Sequence, residues 1–244
     1  MTVVLKLGGS VITEKDRPET VDDAALDAAV QAIAVAGTDR LVLVHGGGSF
    51  GHAAAADHGV SDAEGTRDAA AVNEIHAAMG RLNREVGRRL VDAGVPAVPV
   101  RPLSCALRDG DGSLYLAAQP VAALLDEGFV PVLHGDVVAH AGRGATVLSG
   151  DEIVAALAGP LAADRVGLCS TVPGVLDADG EVLDRIASID DAAGALGGSE
   201  ATDVTGGMAG KVRTLLRLEA PAQVFGPDAL RAFLAGGSPG TRIG

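Results

Sequence analysis

The sequence predicts an α/β protein built on a mainly parallel sheet covered by helices on both faces. Three observations carry that prediction. Short apolar runs alternate with helical patterns along all 244 residues. The runs are continuously apolar, as in strands buried on both faces. Four glycine-bearing loops, 8–10, 46–51, 135–136 and 171–174, each follow a predicted strand. Ligands of open parallel sheets bind beyond the carboxyl ends of the strands, so these loops should converge on one edge.

Taken in order, Thr2 to Leu7 reads as a strand, apolar from Val3 on except at Lys6, and leads into Gly8-Gly9-Ser10. Asp22 to Ala36 reads as a helix with Ala25, Ala29, Ile33 and Ala36 on its apolar face and Gly37 as its stop. Arg40 to Val44 is the second strand. A long helix over Thr66 to Ala93 carries Ala70, Ile75, Met79, Leu82, Val86 and Leu90 and ends at Gly94. Pro96 to Val100 is the third strand, and 106–117 is a hairpin turning at Asp109-Gly110-Asp111-Gly112.

A helix over Pro120 to Glu127 and a strand over Val130 to Leu133 precede His134-Gly135-Asp136. Leu148-Ser149-Gly150-Asp151 opens the next helix, with Asp151 suited to its first turn. The strand Arg165 to Ser170, the helix Gly207 to Leu218, the strand Gln223 to Phe225, the helix Asp228 to Ala235 and the strand Thr241 to Ile243 complete the chain. No segment has linker composition and no repeat is evident, which predicts a single domain over 1–244.

Hydrophobic residues make up 48% of the chain, too many for a disordered protein. No apolar run approaches the roughly 20 residues of a membrane span, and the amino terminus reads as a strand rather than a signal peptide. A cytoplasmic location is expected, with Cys105 and Cys169 as small buried hydrophobes. The formal net charge of −13 argues against nucleic acid and anionic membranes as partners. Asp outnumbers Glu by 22 to 10 and Arg outnumbers Lys by 16 to 3. That surface suits a salt-adapted protein; a GC-rich genome would favour the same residues.

The three lysines, Lys6, Lys15 and Lys211, all fall beside glycine-rich or loop segments. A chain that has nearly abandoned lysine and keeps it there points to a need for a compact ammonium. Lys6 is the only charge in an otherwise buried strand, a costly position unless the group is paired or functional. It directly precedes the backbone donors of Gly8, Gly9 and Ser10. Lys211 follows Asp203-Val204-Thr205-Gly206-Gly207-Met208, a turn into a helix.

The densest glycine loop is His45-Gly46-Gly47-Gly48-Ser49-Phe50-Gly51-His52. Gly46, Gly48 and Gly51 satisfy the dinucleotide fingerprint, but that pattern belongs after the first strand of its unit, and the third strand ends in Arg101-Pro102 instead of an acid. The P-loop spacing is present as well, yet His52-Ala53 stands where Lys-Ser/Thr is required. What remains is an anion-binding concavity of backbone N–H groups, with the following helix dipole and His52 as a further donor, against the plainer alternative of a tight turn with a capping histidine. His45 is open between orienting this loop and facing its ligand. Asp151 is the natural counter-ion for Lys6 and Lys211. Two cations among several backbone nests suit a polyphosphate and would neutralise a transferring phosphoryl group. No carboxylate pair, Cys/His metal cluster or Ser-His-Asp arrangement stands out.

Together, Lys6-Leu7-Gly8-Gly9-Ser10, the 45–52 loop, Gly135-Asp136, Ser149-Gly150-Asp151 and the 203–208 turn with Lys211 resemble the amino acid kinase superfamily, and within it the isopentenyl phosphate kinases. The first glycine loop is general to the superfamily; the histidine after Phe50-Gly51 is narrower, shared with fosfomycin kinases. The resemblance spans the chain to Gly240-Thr241-Arg242-Ile243. It implies a single three-layer αβα sandwich, a homodimer, ATP with Mg²⁺ held chiefly by phosphates and water, and isopentenyl phosphate as acceptor.

By position, the resemblance gives His52 to the acceptor phosphate, with Gly47 and Gly150 as backbone donors. Lys6, Gly8, Gly9, Ser10, Gly48, Thr171, Gly174, Gly207 and Lys211 fall to the nucleotide, Lys15 to the transition state, and Asp151 to organising the lysines. The family's nucleotide loop commonly reads Thr-Asp-Val-x-Gly-Val, where this chain has Ser170-Thr171-Val172-Pro173-Gly174-Val175 without the Asp. An apolar acceptor tail would meet Val72, Ile75, His76, Met79, Val137 and Val138. Other small-molecule kinases of this fold, acting on fosfomycin or UMP, and a non-catalytic nucleotide-binding regulatory domain remain the alternatives.

Overall fold

A computed structural model describes residues 1–192 and 207–244. Its elements run β1 (Thr2–Leu7), α1 (Gly9–Ile12), α2 (Asp23–Ala36), β2 (Arg40–His45), α3 (Gly48–Asp57), α4 (Ala69–Asp92), β3 (Ala97–Pro99), β4 (Ala106–Arg108), β5 (Leu114–Leu116) and α5 (Gln119–Asp126). They continue through β6 (Val130–His134), β7 (Asp136–His140), β8 (Gly144–Leu148), α6 (Gly150–Ala158), β9 (Arg165–Cys169), β10 (Arg185–Ile186), α7 (Gly207–Leu215), β11 (Ala222–Phe225), α8 (Leu230–Leu234) and β12 (Thr241–Ile243). The 203–206 part of the turn before Lys211 lies outside the described residues.

The main sheet has eight strands in the order β10-β12-β11-β9-β1-β2-β6-β3. From β11 to β3 every pairing is parallel, and β12 runs antiparallel to β11. The chain winds from β1 outward through β2 on one side and returns to β9 on the other. The strand order therefore reverses at β1, where a crevice opens beyond the strand ends. Lys6 and the 8–10 loop stand at that crevice.

Strand period two divides the core. Val4, Val42 and Val44 face α5, α6 and α7, while Val3, Leu5, Leu7, Leu41 and Leu43 face α2, α4 and α8. Lys6 shares the parity of Val4, so its side chain runs beneath α6. Capping places the helix ends: the Asp22 side chain accepts from Ala25 N, and Gly37 takes the left-handed conformation at φ 56°.

Several expectations need correction. The buried face of α2 is Leu26, Ala29, Val30 and Ile33, and Ala36 is exposed, because the larger side chains bury more apolar area. On α4 the residue at its start facing the core is Ala71, and Ala70 is exposed. Cys169 is buried as expected, but Cys105 is only half-buried. Residues 136–148, read only as a loop with its aftermath, form the β7–β8 hairpin. With β4 and β5 it makes a second sheet, ordered β5-β4-β7-β8. That sheet brings β8 and the start of α6 to the crevice.

Candidate active site

The four glycine loops do converge. One cleft is lined by Lys6, Gly8–Ser10, Gly46–Gly48, Gly51, His52, Gly135, Asp136, Ser149–Asp151, Ser170, Thr171 and Lys211. At its centre Lys6 Nζ donates to Asp151 Oδ1 at 2.6 Å, with both side chains about one-tenth exposed at 9% and 11%. Lys211 Nζ stands 3.9 Å from the other carboxylate oxygen, Oδ2. One carboxylate thus sets the positions of two ammonium groups that approach from different elements, β1 and α7.

The backbone around this pair is held by glycine. A Cβ on Gly9 would fall 2.0 Å from Gly48 N; Gly48 itself has φ +49°, and a Cβ added to it would meet Thr13 Oγ1 at 2.1 Å. Thr13 locks the contact: its hydroxyl donates to Gly9 O at 2.9 Å and accepts from Ser49 N at 3.0 Å. Gly8 N and Gly46 N extend the sheet ladder to Cys169 O and Leu7 O. The N–H groups that follow them, at the starts of α1 and α3, have no intrahelical acceptor.

Gly150 opens α6, which carries a complete capping box between Ser149 and Glu152. Glu152 N is capped by Ser149, and the N–H groups of Gly150 and Asp151 have no intrahelical acceptor at that end. A Cβ on Gly150 would lie 3.1 Å from Lys6 Cε, so any side chain there would have to displace the lysine stem by a few tenths of an ångström.

His52 lines the cleft opposite the lysines, in the second turn of α3 rather than at its start, with Cδ2 3.3 Å from where a Gly47 Cβ would be. The same cleft is also lined by apolar Ala55, Val60, Ile75, Met79 and Val147, with Ser61 and Asp62 next to Val60. Of the expected tail contacts, Ile75 and Met79 are there. Val137 and Val138 are fully buried core, and Val72 packs against the cluster around Val137. Val147 lies in the β7–β8 hairpin, which no alternation in the sequence marks; Ala55 and Val60 lie three and eight residues after His52.

His76 is occupied elsewhere: its Nδ1 meets Asp136 Oδ2 at 2.9 Å. Beneath the cleft, His45 and His134 end paired strands and stack at 5.6 Å. Each turns Nδ1–H to the carbonyl of the following glycine, Gly46 O at 3.1 Å and Gly135 O at 2.9 Å. His45 is fully buried and orients the loop. Burial pushes both imidazoles toward the neutral form, His134 to a pKa of about 3. Burial raises the Asp136 carboxyl above its usual range, against the opposing hydrogen bond from His76.

Two expected contacts lie outside the cleft lining. Lys15 is exposed in the turn that Thr13 and Val21 close. Gly174 is buried against Thr241 and Val182, where a Cβ would meet Thr241 Oγ1 at 2.7 Å. Thr171, three residues earlier, does reach the cleft. Gly207 begins α7, the helix that presents Lys211.

Residues 1–221 match the model of the amino acid kinase family. The chain is 63% identical over 242 residues to the isopentenyl phosphate kinase of Haloferax volcanii, covering 99% of this chain and 98% of the relative. The chain belongs to the amino acid kinase family, on its isopentenyl phosphate kinase branch. A second member of that branch, from Methanothermobacter thermautotrophicus, is 38% identical over 88% of this chain and 86% of its own. Among solved structures, an isopentenyl phosphate kinase superposes with a TM-score of 0.83 at 29% identity over the whole of both chains. The product complex of the T. acidophilum isopentenyl phosphate kinase does so at 0.81 and 25%, again over both chains entire.

Proposed function

We propose that this chain transfers the γ-phosphoryl group of ATP to the phosphate of isopentenyl phosphate, yielding isopentenyl diphosphate and ADP. The observation that carries the reading is the make-up of one cleft: a two-lysine clamp on Asp151 among glycine backbone donors, His52, and an apolar group of Ala55, Val60, Ile75, Met79 and Val147. A polyphosphate, a second phosphate and a short hydrocarbon together need those surfaces. The 63% identity to the Haloferax volcanii isopentenyl phosphate kinase supports the same acceptor.

An acceptor phosphate oxygen attacks the γ-phosphorus, forming the new P–O bond as the bond to the β-bridging oxygen breaks, and ADP leaves with that electron pair. The acceptor is already an anion and needs no strong base, so positioning and charge neutralisation do the work. Lys6 and Lys211 neutralise the nucleotide's phosphates, held in place by Asp151. Gly8, Gly9, Ser10, Gly48, Thr171 and Gly207 contribute on the nucleotide side, and Gly174 shapes the turn behind Thr171. His52 binds the acceptor phosphate with the N–H groups of Gly47 and Gly150. Lys15, exposed in the turn after α1, is assigned to neutralising the transferring group.

Both Asp151 oxygens face ammonium groups, and among the described residues no cluster of three His, Cys, Asp or Glu could hold a metal. In this reading Mg²⁺ arrives on the nucleotide phosphates and keeps most of its waters, as its reluctance to dehydrate permits. We further propose a single catalytic domain over 1–244, a homodimer and a cytoplasmic, salt-adapted enzyme. The open edge strand β3 and the 55% exposed Val91 in the groove beside it support the dimer. Among the described residues no helix is long and apolar enough to cross a membrane.

The deciding experiment is a panel of isopentenyl phosphate, UMP and fosfomycin with ATP and Mg²⁺, read as kcat/KM. Isopentenyl phosphate should exceed the others by orders of magnitude. Comparable turnover of UMP or fosfomycin would overturn the assignment.

A further inference from the structure

Strand β4 inverts the usual alternation. Leu107 is 46% exposed, whereas Arg108 points inward and is 7% exposed. A pattern violated in this direction needs a compensating role, and such violations concentrate at functional sites. The buried guanidinium donates through Nη2 to Glu152 Oε1 at 2.7 Å and to Val147 O at 3.3 Å, and through Nη1 to Gly112 O at 3.4 Å. Its Nε is buried without a hydrogen-bond partner. A buried ion pair is a weak device for stability, since apolar residues of similar volume often do as well.

The other end of the contact explains its place. Glu152 Oε2 accepts from both Ser149 N and Ser149 Oγ at 3.0 Å, so one carboxylate joins Arg108 to the capping box of α6. The next residue back is Asp151, whose carboxylate holds Lys6, and Gly150 covers the Lys6 stem. Arg108 also grips β8 at Val147, one of the apolar residues lining the cleft. A small rotation of the first turn of α6 would move the Asp151 carboxylate and the Gly150 N–H together.

We infer that Arg108 is a positioning residue, acting through Glu152 to fix the first turn of α6 and so the aim of Asp151 and Lys6 at the nucleotide's phosphates and of the Gly150 N–H at the acceptor phosphate. It touches no reactant. The inference rests on the phosphotransfer proposed above for its kinetic readout, but not for its binding readout. In this arrangement the second sheet sets the geometry of a clamp built on the first.

The test compares Arg108→Met, Arg108→Lys and Glu152→Gln, and the Arg108→Met/Glu152→Gln double variant, in the full-length protein. Arg108→Met should lower kcat roughly ten- to a hundredfold, the cost of a small misplacement at a reacting centre, with KM for isopentenyl phosphate raised by a smaller factor through the Gly150 N–H. Arg108→Lys should recover part of that loss. The double variant should be no worse than the worse single variant, because both act through one contact. If Arg108→Met does not fold, Glu152→Gln, which keeps an oxygen for Ser149, carries the test by the same split.

Affinity for MgATP, measured by calorimetry without acceptor, should weaken severalfold in Arg108→Met. Wild-type kcat and wild-type MgATP affinity in the folded variants would overturn the inference, as would additive losses in the double variant. A wild-type protein that binds MgATP but phosphorylates nothing in the panel would overturn the proposed reaction instead, leaving the positioning role to be decided by the affinities.

Discussion

Gly9 and Gly48 meet backbone to backbone, so closely that a single added methyl on Gly9 would overlap the Gly48 nitrogen at 2.0 Å. The contact joins the loop after β1 to the loop after β2 and sets the width of the phosphate cradle. Gly9→Ala has no flexible neighbour to push aside, since the obstructing atoms are main chain. We predict a loss of about 1–3 kcal/mol in stability, the usual cost of overpacking, and a larger loss of MgATP affinity than any single lysine variant produces. Thermal unfolding and calorimetry check this, and a Gly9→Ala protein with wild-type affinity would show that the loops can separate at no cost.

Asp151→Asn keeps the size of the side chain and removes the charge that holds Lys6 and Lys211. The two ammonium groups then lose the carboxylate they share until the nucleotide arrives. The variant should lose about two orders of magnitude in kcat, in line with the removal of a preorganised electrostatic element. MgATP binding should fall less, because the phosphates replace the lost carboxylate. Equal losses in kcat and in affinity would mean that Asp151 only builds the binding site.

His52→Ala separates acceptor from nucleotide. The ring lines the same cleft as the lysine clamp and the apolar group, so its loss should raise KM for isopentenyl phosphate at least tenfold, about 1.4 kcal/mol or more, with KM for ATP nearly unchanged. Lys15→Ala should act oppositely, lowering kcat at saturating substrates. Steady-state kinetics with each substrate varied distinguishes the two; a Lys15→Ala effect confined to KM would remove the role assigned to that residue.

The sheet and the glycine loops were legible in the sequence because continuous apolar strands leave few other readings, and Lys6 was conspicuous as the lone charge in one of them. The face of α2 was not, because alanine fits either side of a helix and Ala25 and Ala36 fall in with an alternative stripe; Leu26 and Val30 decide it by area. The β7–β8 hairpin was missed because Val137 and Val138 are both buried, so no period-two alternation marks the strand. Its turn carries Gly142 and Gly144 at positive φ, without the short Asn-Gly or Asp-Gly signature. Arg108 was invisible for a related reason: which way a strand residue points depends on register, and a one-residue slip would have put it in water.

The net charge of −13 predicts a stability that depends on salt. Self-repulsion among exposed carboxylates opposes the compact state, and it is screened as the Debye length shrinks from about 10 Å at 0.1 M to about 3 Å at 1 M. Tm should rise steadily between those concentrations of KCl. A flat response would mean that the arginine pairs, such as Arg89 with Asp27 and Glu85, already neutralise the field locally.

The stacked imidazoles predict a specific acid limit. His134 has its folded pKa depressed from 6.5 to about 3, and burial depresses His45 in the same direction. Below pH 6.5 the unfolded chain takes up protons that these buried rings refuse, so each ring's stabilising contribution is complete above that value and is lost as the pH falls toward the folded pKa. Asp136 works in the opposite sense: burial raises its folded pKa, so its contribution is lost as the pH rises above the ordinary carboxylate range, and only the difference between wild type and a histidine variant isolates the ring. Each refused proton corresponds to about 1.4 kcal/mol per pH unit. Replacing one ring by a neutral group of similar reach, His134→Gln, should lower overall stability at pH 7.5 and reduce the slope of unfolding free energy against pH by about that amount between pH 5 and 6. Urea titrations across this range measure both quantities. A slope unchanged by His134→Gln would mean that the ring is protonated in the folded protein, and would overturn the account of the pair as neutral posts for the Gly46 and Gly135 carbonyls.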